Sequence, residues 1–438
     1  MTRTAALSAI AVVGAASLAS PALAAAPALL AHQAPLVIDN AATAWILTST
    51  ALVLLMTLPG LALFYGGMVR KKNIISVIAQ SAAAFAIVSV LWFLVGYSLS
   101  FGKGPEAVNG LIGGVQAAFL NGVTMQTAHS LLPGLPELLF VSFQMTFAII
   151  TPALIAGAFA ERMKFSASLL FFALWHLIVY APICHQVWGG GYLGSLGVLD
   201  FAGGAVVHVN AGVAGLVCAL VLGQRHGFGR DNMAPANLVY SAIGTGLLLV
   251  GWIGFNAGSA GAADALAATA AFNTILAAGA AALSWMTVEW FDRKRPTLLG
   301  LLSGVVGGLV AITPAAGFVD PKGAFFIGLI AGPACYAGAV WLKHALKYDD
   351  SLDAFGVHGI GGIVGALLTG VFATTSVNAL SEGATVWKQA IGLGGAIAWS
   401  AVGTFVVLMI CKFTTGLRVT KDEEVEGLDY TQHGEAIH

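Results

Sequence analysis

Charge is what this sequence lacks. Only 9% of its 438 residues are Asp, Glu, Lys or Arg, and 58% are hydrophobic; soluble globular chains carry about 25% charged residues. So few charges cannot cover a water-facing surface, and most of the exterior is expected to face lipid. The net charge of −1 gives no electrostatic case for nucleic acid as a partner, and none is expected. Cysteine is scarce as well. Cys184, Cys218, Cys335 and Cys411 lie in or beside apolar runs and no two form a Cys-x-x-Cys, so they are read as packing residues. No glycine-rich phosphate loop is present, and no direct coupling to ATP is implied.

Long apolar runs and small residues are what remain. A spanning helix needs about 20 apolar residues. Eleven such stretches are expected, at 42–66, 73–101, 138–160, 167–187, 203–223, 237–257, 265–290, 298–316, 323–343, 354–375 and 389–414. The breaks between them are short, the longest covering 102–137. Fifty-five glycines fit a protein whose helices pack closely inside a membrane. The fold class is therefore an all-α membrane protein.

The first residues carry one positive charge at Arg3, an apolar stretch, and Ala22-Leu23-Ala24. That is the pattern of a secretory signal, with residues 1–24 removed. Cleavage after Ala26 is the alternative. Residues 25–414 then form the membrane domain and 415–438 a tail. Positive residues mark the cytoplasmic side of a span. Arg70, Lys71, Lys72, Arg162, Lys164, Arg225, Arg230, Arg293, Lys294, Arg295, Lys343 and Lys347 fall on one side, with Lys412, Arg418 and Lys421. Only Lys103, Lys322 and Lys388 fall on the other. The mature amino terminus is expected outside and the carboxyl tail in the cytoplasm.

Two of these stretches share an unusual content. "DFAGGAVVHVNAGVAGL" begins at Asp200 and "DAFGVHGIGGIVGAL" at Asp353. Each has an aspartate at the helix entrance, small residues, and one histidine, His208 or His358. They belong to the fifth and tenth stretches. Two groups of five helices must run oppositely, which suggests a five-plus-five inverted repeat with the site at its interface. His208 would lie about 12 Å into its helix and His358 about 8 Å into its own. Either ring alone could be a satisfied helix–helix hydrogen bond. Two at equivalent places suggest a polar lining that two neutral rings can share. No Cys or carboxylate cluster accompanies them, so no metal or haem site is read, and no cofactor.

With these motifs in view, the chain resembles bacterial ammonium transporters of the Amt/Mep/Rh family. The likeness is carried by "TLPGLALFYGGMVRKKN" at Thr57, "HQVWGGG" at His185, "DFAGGAVVHVNAGVAGL" at Asp200, "GWIGFNAGSAG" at Gly251, "DAFGVHG" at Asp353 and the acidic tail. The resemblance implies an eleven-helix protomer with a narrow pore, assembled as a homotrimer in the bacterial inner membrane. It implies His208 and His358 as twin pore histidines. Trp188 and Ser259 would recruit ammonium, Phe147 and Phe255 would form stacked gate rings, and Phe143 would stand in the outer vestibule. Asp200 would organise the outer site or assist deprotonation. The implied substrate is ammonium or ammonia, with methylammonium as an analogue. The tail would be regulatory, bracing neighbouring subunits and binding a cytoplasmic PII signal protein; read from its residues alone, it is a solvated acidic end.

The residue types agree with that chemistry. An aromatic face attracts a cation by about 0.5–2 kcal/mol, most strongly for Trp, and a serine oxygen adds an acceptor. Moving the bare ion into an apolar medium costs on the order of 20 kcal/mol by the Born estimate. Capture of NH4+ followed by conduction of NH3, with or without a separately relayed proton, is the function expected. The rivals are a neutral gas channel of the Rh type and an ammonium sensor. An enzyme is not expected, since no nucleophile, metal cluster or cofactor motif accompanies the histidines.

Overall fold

The structure is a computed structural model that describes residues 33–35 and 37–437. The expected signal, 1–24, lies outside the described residues. Among the described residues, ten helices are long and apolar enough to cross a membrane. They are α1 (Asn40–Met68), α2 (Lys71–Phe101), α3 (Glu137–Phe159), α4 (Phe165–Ser195) and α5 (Gly204–Leu222). After them come α6 (Leu238–Gly258), α7 (Ala265–Arg293), α9 (Pro321–Leu346), α10 (Phe355–Phe372) and α11 (Val386–Thr414). Between α7 and α9 lies α8, Leu298–Ile312, which is apolar but has only 15 residues.

The eighth stretch expected from sequence is thus shorter as a helix than its apolar run. At 1.5 Å per residue, α8 reaches about 22 Å, against about 30 Å of hydrocarbon. Pro314 accounts for the early end, because it has no N–H to continue the ladder. The unwound residues after it are used elsewhere. Phe201 N–H donates to the Pro314 carbonyl at 3.1 Å, which ties this segment to the entrance of α5.

Several helix starts are set by side chains that accept the first free N–H groups. Asp39, Asn237, Asp264, Thr297, Asp320 and Thr385 do this for α1, α6, α7, α8, α9 and α11. Packing then rests on close backbone approach. A Cβ added at Gly212 on α5 would sit 2.2 Å from the Gly359 nitrogen on α10. Those two helices therefore cross in backbone contact, which only glycine permits, and they do so beside His208 and His358.

The ends of the bundle differ. α3 starts at an aromatic vestibule and its last turn meets the segment before α10, where Leu352 N–H donates to the Gly157 carbonyl at 3.0 Å. On that second side, Arg70 and Arg225 both reach Glu161, at 2.8 and 3.1 Å, and Arg225 also pairs with Asp349 at 2.8 Å. Burial alone would raise Glu161, but the two guanidinium groups outweigh it and hold the carboxyl below its usual range.

The tail is folded, which corrects the reading of a solvated acidic end. It forms α12 (Lys421–Glu426), closed by a Thr420–Glu423 capping box, and α13 (Leu428–His433). Its acids are acceptors. Asp429 takes the Ser76 N–H at 2.8 Å, near the start of α2. Glu424 takes the His226 N–H at 2.6 Å and pairs with Arg418 at 2.8 Å. Leu428 N–H donates to Asn73 at 2.9 Å.

Candidate transport pathway

The vestibule is a cavity of about 370 Å³ whose wall includes Phe143, Phe147, Trp188, Asp200 and Ser259. Trp188 stands where α4 bends before its last turn. Its indole N–H donates to the Asp200 carbonyl at 2.8 Å. The Phe147 ring lies at 89° to the Trp188 ring with centroids 6.0 Å apart, and Phe143 stands 5.0 Å from Phe147. The Ser259 hydroxyl donates to the Phe255 carbonyl at 2.8 Å, so its oxygen keeps its lone pairs to accept from a guest.

Below the vestibule, Phe147 and Phe255 close against each other at 4.3 Å. Phe255 is followed by His208 at 5.9 Å. The two histidine rings stack with centroids 5.4 Å apart, and their Nδ1 atoms are 3.3 Å apart. Both rings are buried, at 1% and 3% exposure. A hydrogen bond between the two Nδ1 atoms needs one ring to donate and the other to accept, so it can hold a single proton. Adding another there would set donor against donor. His208 Nε2 has no hydrogen-bond partner among the described residues, and His208 lines a narrow cavity. That cavity leaves about 10 Å³ for the centre of a water-sized molecule, close to the least that one water needs. Apart from the histidines and the Trp252 ring, its lining is Met, Leu, Ile, Val and Phe.

Asp200 holds the first turn of α5. Its carboxylate accepts the N–H groups of Gly203, Gly204, Ala205 and Val206 at 2.6–3.0 Å. The residues from Gly204 to Val209 form a wide turn with i→i+5 spacing, and so do Phe355–Gly359 around His358. Such turns re-aim a side chain and recur at functional sites.

For α10 the structure corrects the aspartate read from sequence. Asp353 does not cap the helix; it pairs with Lys343. Asp350 caps it instead, accepting from Ala354 at 3.1 Å and Phe355 at 2.7 Å. Asp350 precedes His358 by eight residues, the interval that separates Asp200 from His208. That spacing was a usable signal. Burial, then the Asp353 charge, pushes the Asp350 carboxyl up to about 6.

Two more residues line these cavities. Trp252 stacks on His208 at 5.3 Å, and its indole N–H is held by Thr313 at 2.8 Å. It lies one helical turn before Phe255, and that periodicity marks it. Gln144 lines the vestibule, and its buried amide oxygen has no hydrogen-bond partner among the described residues; nothing in the sequence distinguishes it from a packing glutamine.

A family model described as the Ammonium Transporter Family matches residues 44–437. The chain belongs to the ammonium transporter family. An ammonium transporter of Bacillus subtilis (strain 168) is 49% identical over 410 residues, covering 90% of this chain and 98% of that protein. One from Aquifex aeolicus (strain VF5) is 48% identical over 410 residues, covering 92% and 94%. Among solved structures, Saccharomyces cerevisiae Mep2 superimposes with a TM-score of 0.81 at 37% identity, covering 88% of each chain. These are transporters and not enzymes, and this multi-pass chain shares their fold.

Proposed function

We propose that this transporter captures NH4+ at the vestibule, removes a proton, and conducts NH3 between Phe147 and Phe255 and past His208 and His358 into the cytoplasm. The observation that carries this reading is one continuous aromatic and imidazole path. It runs from the 370 Å³ vestibule through the 4.3 Å phenylalanine pair to the 10 Å³ cavity. Trp188, Phe147 and Phe143 supply aromatic faces for the cation, and Ser259 supplies an acceptor. Methylammonium would be taken as an analogue. Contacts of this kind offset a few kcal/mol, far below the cost of a bare ion in an apolar pore. The neutral molecule therefore passes, and a proton follows only by relay. Asp200 acts mainly as an organiser, because four backbone N–H groups already occupy its carboxylate.

The same reading places the vestibule outside and the tail in the cytoplasm of the bacterial inner membrane, with the amino terminus outside after removal of 1–24. α8 is then the short member of an eleven-helix protomer. The matched Asp350–His358 and Asp200–His208 devices, entering from opposite ends of the bundle, support the inverted repeat. Each protomer carries its own pore within a homotrimer, and the tail is the docking element for a PII protein.

Reconstituted protein tests the transport reading. Trp188→Leu is expected to raise the half-saturation for ammonium by about two- to thirtyfold, the equivalent of 0.5–2 kcal/mol, while the trimer stays folded. Unchanged half-saturation and rate would remove Trp188 from the recruitment site. The Rh-type alternative predicts that same indifference, since a gas pore has little use for a cation cage. Sustained ammonium-dependent current in the wild type would show net charge crossing. Binding without flux would favour the sensor.

The tail has its own test. Truncation after Thr420 removes α12 and α13 and is expected to abolish capture of PII in a pull-down. Full capture by the truncated trimer would place that interface elsewhere.

A further inference from the structure

A cleft of about 520 Å³ opens on the tail side, between residues 224–231 and the start of the tail. Four cationic side chains line it, Arg225, Arg230, Arg418 and Lys421, against two carboxylates, Asp231 and Glu424. The charges are not equally engaged. Arg225 is committed to Asp349 and Glu161, and Arg418 to Glu424 and to the carbonyls of Leu222 and Gln224. Arg230 and Lys421 are exposed and have no ion pair among the described residues. His226 adds an exposed ring on the same rim. The cleft thus presents two free cations over a floor of fixed guanidinium groups, on walls from two separate parts of the chain.

We infer that this cleft binds an anionic phosphate compound, which bridges the α5–α6 connection to the tail. Charge-assisted bonds from guanidinium and ammonium to phosphate are the strong pairings available to such a lining. The volume suits a ligand of nucleotide size. The same phosphate chemistry could come from a soluble compound or from an anionic lipid headgroup. The inference does not depend on how ammonium crosses.

The walls explain why occupancy would matter. Arg418 and Glu424 join the tail to residues 222–226, and Arg225 joins that loop to Asp349, next to the Asp350 cap of α10. A ligand held by Arg230 and Lys421 would clamp the tail against the loop.

The test uses the full chain in nanodiscs of phosphatidylcholine alone or with phosphatidylglycerol, with pyrophosphate as the soluble probe. Pyrophosphate is expected to bind saturably in the phosphatidylcholine discs. Arg230→Ala with Lys421→Ala is expected to weaken that binding about tenfold or more, and Asp231→Asn to strengthen it. Both substituted cations are exposed and unpaired, so the double variant should melt with the wild type. If pyrophosphate fails but phosphatidylglycerol is retained in native mass spectra and lost in the double variant, the phosphate is a headgroup. Binding of neither probe, or binding indifferent to Arg230 and Lys421, would overturn the site.

Discussion

Proteoliposomes carrying His208→Asp with His358→Asp are expected to pass more potassium than the wild type and to lose discrimination for ammonium. The rings stand 3.3 Å apart at Nδ1, in a narrow cavity otherwise lined by apolar and aromatic side chains. They supply polar edges without fixed charge. Two carboxylates there would compensate a cation that the native wall repels by desolvation alone. A rise in potassium permeability of about tenfold or more, equivalent to 1.4 kcal/mol, is the expected scale. The matching His208→Leu, His358→Leu variant removes the polar edges instead. Its ammonium-dependent current is expected to fall about tenfold or more, because no group remains to pass a proton. Current and potassium flux in all three proteins decide the matter. If both double variants matched the wild type, the histidines would be packing residues.

Asp200→Ala is the second large effect. It leaves four buried N–H groups without their acceptor at the turn that carries His208. Each such donor costs about 1–3 kcal/mol. With vestibule water repairing half of them, about 2–6 kcal/mol is still lost. The melting temperature is expected to drop, and uptake to fall further than stability alone predicts, as the His208 ring leaves its register with His358. Asp200→Asn keeps one carbonyl oxygen, able to accept two of the four bonds, and should lie between. Wild-type melting and uptake in the alanine variant would refute the capping role. A folded asparagine variant as inactive as alanine would instead assign proton chemistry to the carboxylate.

The sequence by itself determined the class of the molecule and most of its elements. A charge content of 9% and a series of apolar stretches suffice for a membrane bundle, because lipid accepts only backbone that satisfies itself. Helix starts at Asn237, Asp264, Thr297, Asp320 and Thr385 follow from capping chemistry confined to three or four neighbouring residues. His208 and His358 stood out because titratable rings are costly in such runs.

Only the tertiary structure decided how those pieces meet. An apolar run records hydrophobicity, not hydrogen bonding, so residues 313–316 read as helix although Pro314 ends it. Three aspartates stand near the start of α10, and composition cannot tell which one faces the helix amides. The fold turns Asp350 onto them and Asp353 toward Lys343. The tail's acids read as solvated until α2 and the 224–231 loop present free N–H groups to Asp429 and Glu424. Lastly, His208 and His358 are 150 residues apart in sequence. Nothing local brings them within 3.3 Å. The backbone contact of Gly212 with Gly359 and the two wide turns do so, and both depend on α5 and α10 being packed together.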